Sequence, residues 1–431
     1  MKKREIWRTV VMGLLCHASI TSAQEPFTER FRLRPSNVFP PGNFSQGVNS
    51  GVDVQGDRAI VGAFNEQARP NLSNGGAAYI FDATTGQELH RLIAGDASSR
   101  AWFGISVRLD AGLALVGSPL ISSRRGAVYL FDVESGSELL KLTASDRAAN
   151  DKFGRDVAIS GNRILVGATG DDDRGSDTGA AYLFETSTGT ELRKLLAVDS
   201  VAGDNVGGAV AASASLGLVG APGHDQPAVN SGAVYVFDLV SGQELRKLTP
   251  SNPVAQRRFG SRVDLDGSIA IISGDRGNAV YLFDVRTGQE LANLAVPAEV
   301  GPADLFGSDV RISGDLAVIG AAQHDLNGER DRGVFYIYDI RTGAQVARHE
   351  ASDGMAEDRF GDTLGIDEGV IVAGASFAED LIGAAYIFSK AMEIAIPTMG
   401  EWTLLSFVLL LMTMGTIVIE RRRRAVHGYR L

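Results

Sequence analysis

The sequence has almost no cysteine. Its one cysteine, Cys16, falls in the first, leader-like stretch, so the rest of the chain has neither a disulfide framework nor a thiolate metal site. Tryptophan is scarce, three residues in 431, and aromatics make up 7%. Positive charge is also short. Lys and Arg number 41 against 52 Asp and Glu, a net charge of -11, which argues against nucleic acid or an anionic membrane as partner of the main body. No nucleophile-elbow, P-loop or dinucleotide signature occurs. Carboxylates are spread so evenly that none stands out as an acid/base pair. The expectation is a non-enzyme with no cofactor.

What the chain has is glycine, 51 residues of it, and a phrase repeated seven times. Each copy runs Phe-Gly-x-x-Val, a short turn, an apolar run ending near Gly-Ala-Pro, a polar loop, then Gly-Ala-x-Tyr-x-Phe-Asp. The opening position holds Val48, Phe103, Phe153, Val206, Phe259, Phe306 and Phe360, a spacing of 47 to 55 residues. Fourteen residues on lie Gly62, Gly117, Gly167, Gly220, Ser273, Gly320 and Gly374. Seven of the nine tyrosines share one repeat position, from Tyr79 to Tyr386. Repeats of this length imply a closed array of small sheets.

Within a copy, Val107 and Leu109 alternate with Ser106 and Arg108, which marks a strand. The continuous run at 113–116 suits a strand buried on both faces, and the segments 128–131 and 138–142 complete four. The fold expected is all-β: a seven-bladed propeller of four-stranded antiparallel blades over residues 27–389. Val52, Val107, Val157, Val210, Val263, Val310 and Leu364 form an apolar row for blade-to-blade packing. The flanking Asp53, Arg108, Asp156, Arg262, Asp264, Asp309 and Arg311 should approach the central axis, where opposite charges can pair. The seventh copy stops at Ser389 without a fourth strand. The segment from Glu29 to Asn37 resembles the one from Glu244 to Asn252, so the first strand is expected to complete blade seven.

Both ends read as addresses. Lys2, Lys3 and Arg4, an apolar core and small residues suggest a signal peptide at 1–23. Cys16 raises lipidation, but it follows Gly13-Leu14-Leu15 rather than a small residue. Residues 390–402 read as a linker. Residues 403–419 carry no charge and, as a helix, would span roughly 25 Å, enough for a short membrane crossing. Arg421, Arg422, Arg423 and Arg424 open a basic tail, 420–431, that should stay cytoplasmic with the body outside.

The motifs Phe103-Gly104, Gly117-Ser118-Pro119 and Gly220-Ala221-Pro222 resemble FG-GAP repeats, as in the propeller of integrin α subunits and in bacterial surface proteins. Some integrin repeats hold calcium in an Asp-x-Asp-x-Asp-Gly loop. Here that loop is as short as Asp110-Ala111-Gly112, with too few oxygens, so no calcium site is carried over. Residues 281–291 also resemble quinoprotein repeats, but the Trp expected after Glu-Leu is absent. The resemblance is taken as shared turn chemistry. Ile396, Pro397, Thr398, Glu401 and Trp402, followed by an apolar segment and the arginine cluster, resemble the IPTL-CTERM sorting signal; Met399 and Gly400 depart from it. That resemblance implies a Gram-negative envelope and a membrane-embedded sorting protease. The location implied is an inner-membrane intermediate, then the cell surface or the medium.

The loops between strands two and three and those between blades should share an acidic face. Asp151, Asp204, Asp304 and Asp358 each precede the Phe position by two. They are expected to fold back on loop N–H groups; the functional alternative is a rim that attracts cations or a basic partner. His224-Asp225, His324-Asp325 and Asp171-Asp172-Asp173 occupy equivalent loop positions. His and Asp are metal-ligating types, and Asp171, Asp173, His224, Asp225, His324 and Asp325 are the candidates. They belong to three different blades, which favours structural roles. The function expected is a binding or adhesion module for a surface protein or polysaccharide. The alternatives are a carbohydrate-active enzyme using the channel and a structural matrix component.

Overall fold

Each copy becomes one sheet because its first and second strands, and its third and fourth, are joined by tight turns, while a longer polar loop joins the second and third. In the second copy Val107–Asp110, Leu113–Ser118, Ala127–Asp132 and Glu138–Leu142 pair antiparallel in chain order. The first turn, Ala111-Gly112, has φ of 48° and 79°, the two left-handed residues a tight hairpin demands. At the third turn Asp132 accepts from the N–H and hydroxyl of Ser135. Asp82, Asp238, Asp284 and Asp339 close the same turn in their blades. The Phe-Asp ending of the repeat is therefore an Asx turn. The computed structural model describes residues 27–36, 51–274, 278–378 and 383–390.

Seven four-stranded sheets result. A single sheet has no interior, so each buries its faces against its neighbours. Seven apolar cores lie between blades. Ile60, Ile80 and Leu92 of the first blade meet Phe103, Val107 and Tyr129 of the second. The ring closes where Val372 and Ile387 of the seventh meet Val52, Val61 and Tyr79 of the first. The apolar row from Val52 to Leu364 is 0–2% exposed throughout. In the second, third and fifth blades the repeat Phe stands edge-on to its own blade's Tyr-x-Phe pair, as Phe103 does to Tyr129 and Phe131 at 5.5 and 5.9 Å.

The repeated glycines lie at one recurring contact between blades. Gly126 has φ of 83°, and a Cβ there would sit 1.9 Å from the Phe153 carbonyl oxygen of the next blade. A Cβ on Gly117 would sit 2.4 Å from the oxygen of Gly154. Ser273 is the exception in the fifth copy, and its Oγ donates to the Gly307 oxygen at 2.7 Å. A forbidden contact has become a hydrogen bond.

The seventh sheet is completed by the N-terminal strand, as expected: Phe27–Leu33 pairs antiparallel with Ala384–Lys390, with one bulge between Glu29 and Phe31. The leader at 1–23 with Cys16, the sorting motif, residues 403–419 and the tail at 420–431 lie outside the described residues. Among the described residues no helix is long and apolar enough to cross a membrane.

Candidate functional site

The inner strands of all seven blades surround an axial cavity of about 350 Å³. As expected, the mixed row lies at the axis, where Arg108, Asp156, Arg262, Asp309 and Arg311 line the cavity. There carboxylates stitch four blades to their successors. Asp53 accepts from Leu109 N–H, Asp156 from Val210, Asp264 from Ile312 and Asp309 from Leu364, all at 2.8–2.9 Å. Arg311 donates to Asp309 at 2.7 Å. Burial works against the charge of Arg311, but Asp309, Asp264 and Asp53 outweigh it and hold the guanidinium charged. Around the ring, the last residue of an inner strand accepts an N–H from the next blade's turn, as Asp110 does from Gly161 and Asp266 from Gly314.

The outer part of the cavity is different. Arg155, Arg262 and Arg359 line it with Asp362. Among the described residues Arg155 makes no ion pair and no side-chain hydrogen bond. Its side chain is exposed, yet enclosure within the ring and then the like charge of Arg262 disfavour its charge. Arg262 donates only to the neighbouring Ser261 carbonyl, at 2.9 Å. Arg359 lies over the Phe377 ring at 4.5 Å. Oδ1 of Asp362 is buried without a hydrogen-bond partner. Burial, then the charge of Asp309, pushes this carboxyl well above the usual carboxylate range, although Arg359 and Arg262 pull the other way. The sequence reading did not single out Arg155, Arg359 or Asp362. For Arg155 and Asp362 the signal was the position two after the repeat Phe, which holds Ile105, Arg155, Gly208, Ser261, Ser308 and Asp362; Arg359 directly precedes Phe360.

The loops at this end are tied together. Lys152 N–H donates to Arg124, Arg258 to Asn230 and Arg359 to Asp331, each joining a blade's polar loop to the next inter-blade loop. The two loop sets therefore share a face, as expected. The expected fold-back of Asp side chains is also present: Asp151, Asp204, Asp304 and Asp358 accept from the N–H of Ala148, Val201, Gly301 and Met355.

The candidate metal ligands stay in three separate blades. Asp225 and Asp325 accept from loop N–H groups of Asn230 and Asp331. His224 Nδ1 lies 2.8 Å from Asp204, and its Nε2 lies 2.6 Å from the Lys247 ammonium. With a cation at Nε2, the ring proton sits on Nδ1 and is donated to Asp204. His324 makes the same contact with Asp304. Asp171 and Asp173 do converge, with Asp146, so that one oxygen of each lies within 4.8 Å of the others. The Lys194 ammonium sits among them at 2.8, 2.6 and 2.6 Å, in the place a cation would take.

That lysine belongs to a recurring unit that sequence reasoning missed. Tyr129 and Lys141 meet on Asp96, Tyr182 and Lys194 on Asp146, Tyr235 and Lys247 on Asp199. In blade seven the N-terminal strand supplies the cation: Tyr386 and Arg32 meet on Asp353. The buried tyrosine body thus ends in a polar tip held by an acid from the preceding loop.

Comparison with known families matches the FG-GAP repeat to residues 87–131, 137–184, 190–237, 295–338 and 344–388. Four of the five matches begin at an outer strand and end at the third strand of the following blade, so the sequence unit straddles two blades; the match at 295–338 begins just after the fifth blade's outer strand. The first three strands of the first blade and all of the fifth blade, which carries Ser273, fall outside the matched segments. No curated protein matches the chain. The matched segments cover just over half of the 431 residues, and the chain belongs to the FG-GAP repeat family.

Proposed function

We propose that the chain is an exported bacterial cell-surface binding or adhesion module for a polysaccharide or protein ligand, and not an enzyme. In this reading it is processed or anchored through the C-terminal signal at Ile396, Pro397, Thr398, Glu401, Trp402 and Arg421 to Arg424. One observation carries the binding role: all seven blades contribute to a single polar cavity that opens among loops hydrogen-bonded into a rigid rim. A preorganised, concave polar site of this kind favours recognition. Glycan and surface-protein arrays probed with the purified full-length chain test it; reproducible binding on one of them is expected, and silence on both overturns it. Mass spectrometry of the C-terminus after expression in a Gram-negative host tests processing.

One observation favours the enzyme alternative: burial and then the charge of Asp309 push the Asp362 carboxyl up, toward the protonated form a general acid needs. Hydrolysis of a glycoside panel that is lost in Asp362→Asn would establish that reading.

A further inference from the structure

Among the described residues no ion pair is made by the three arginines of the outer cavity, and the one carboxyl beside them, Asp362, is pushed toward its neutral form by burial. Arg155 makes no side-chain hydrogen bond there, Arg262 donates to a neutral carbonyl and Arg359 lies on an aromatic face. Deeper in the cavity, by contrast, Arg311 is paired with Asp309. The positive end continues outward: Arg155 N–H binds the Lys152 carbonyl, and Lys152 N–H binds that of Arg124. Arg124 lies in a left-handed stretch with Ser122 and Ser123, φ of 56° to 63°, a costly conformation for three consecutive non-glycine residues. On a protein of net charge -11 this is a local reversal of sign.

The same cavity wall presents hydrogen-bond acceptors. Ser106, Ser261 and Ser308 donate their hydroxyl protons to backbone carbonyls of Gly154, Arg258 and Gly361. Each hydroxyl has given away its proton and has only lone pairs left to offer. A ligand matched to this wall carries O–H donors together with an anionic group. An inorganic oxyanion or an acidic side chain has the charge without the donors; a neutral sugar has the donors without the charge.

We propose that the axial cavity binds an acidic saccharide, its carboxylate held by Arg155, Arg262 and Arg359 and its hydroxyls by the serine oxygens. The proposal rests on the binding-module reading and names its ligand class. Guanidinium forks suit a carboxylate because two parallel N–H donors meet its two oxygens. Asp362 adds a condition. It faces Asp309 from the sixth blade, Arg262 from the fifth and Arg359 from its own, and as an ionised group it would repel the ligand. Its protonated form can donate to the ligand instead, so affinity rises as pH falls through the raised range of this carboxyl.

The test is calorimetric titration of the full-length chain at low salt with glucuronate, an oligogalacturonate, sodium sulfate and a poly-glutamate peptide. The expected result is one site per chain for the two uronates, weakened by added salt. Arg155→Ala should lower that affinity roughly tenfold or more while leaving the thermal midpoint unlowered. Asp362→Asn should keep binding and abolish its pH slope. Binding of sulfate or poly-glutamate without the uronates overturns the saccharide assignment. Glycan-array binding that survives intact in Arg155→Ala overturns the axial site and leaves the module reading standing; no binding to arrays or titrants overturns both.

Discussion

At the scale of the residue, the repeat is a record of where backbones touch. Two kinds of glycine look alike in the sequence and differ in the ring. Gly126 and Gly161 both have positive φ, 83° and 56°. A Cβ on Gly126 would strike the Phe153 carbonyl at 1.9 Å, whereas one on Gly161 meets nothing within 4 Å. Gly161→Ala should cost about 1 kcal/mol of unfolding free energy, from backbone strain alone. Gly126→Ala should cost more than about 3 kcal/mol, because strain and a backbone clash add. Urea titration of both variants decides it; equal costs would show that the close approach contributes nothing. The repeated letters were legible in the sequence. Their division into contact glycines and turn glycines was not, because the partner atoms lie in the next copy.

At the scale of the element, the N-terminal strand decides whether the ring is closed. Phe27–Leu33 supplies pairing for Ala384–Lys390 and also reproduces two side-chain roles of the third blade's outer strand. Glu29 accepts from Ser352 as Glu191 does from Ser145, and Arg32 meets Asp353 as Lys194 meets Asp146. The likeness of Glu29-Arg30-Phe31-Arg32-Leu33 to Glu244-Leu245-Arg246-Lys247-Leu248 made this readable before any fold was known. Deleting residues 27–33 should lower the thermal midpoint of the entire ring in one transition and expose the edge at 384–390 to association. Calorimetry with light scattering measures both. An unchanged midpoint in the truncated chain would contradict the closure.

At the scale of the whole molecule, charge placement sets how stability follows pH. Asp96, Asp146 and Asp199 are each partly buried, which raises a carboxyl, but hydrogen bonds from lysine and tyrosine outweigh this and hold all three below the ordinary range. A group depressed in the folded state adds stability above its unfolded value of about 3.9, and that stability is lost as pH falls through the folded value. The ring should therefore weaken below about pH 4. Asp362 has the opposite sign. Raised in the folded state, it adds no penalty below about 3.9 and a growing one as pH rises toward its folded value. Asp362→Asn should raise the thermal midpoint at pH 7 to 8, with the gain vanishing by pH 4. Melting curves across that range check the sign; a gain that persists in acid would mean that Asp362 is not the titrating group.

The sequence by itself determined the number of blades, their four strands, the apolar row between them and the strand that closes the ring. Those follow from period, turn chemistry and copy-to-copy register, which are local or repeat along the chain. Only the tertiary structure decided which charges are neutralised. Asp171 and Asp173 were candidate metal ligands by residue type alone, with structural roles favoured, and the fold sets the Lys194 ammonium among them. Arg155 drew no notice in the sequence, and the ring sets it against Arg262 in the cavity wall with no ion pair among the described residues. An ion pair depends on distances across blades, and no spacing within a single copy encodes those.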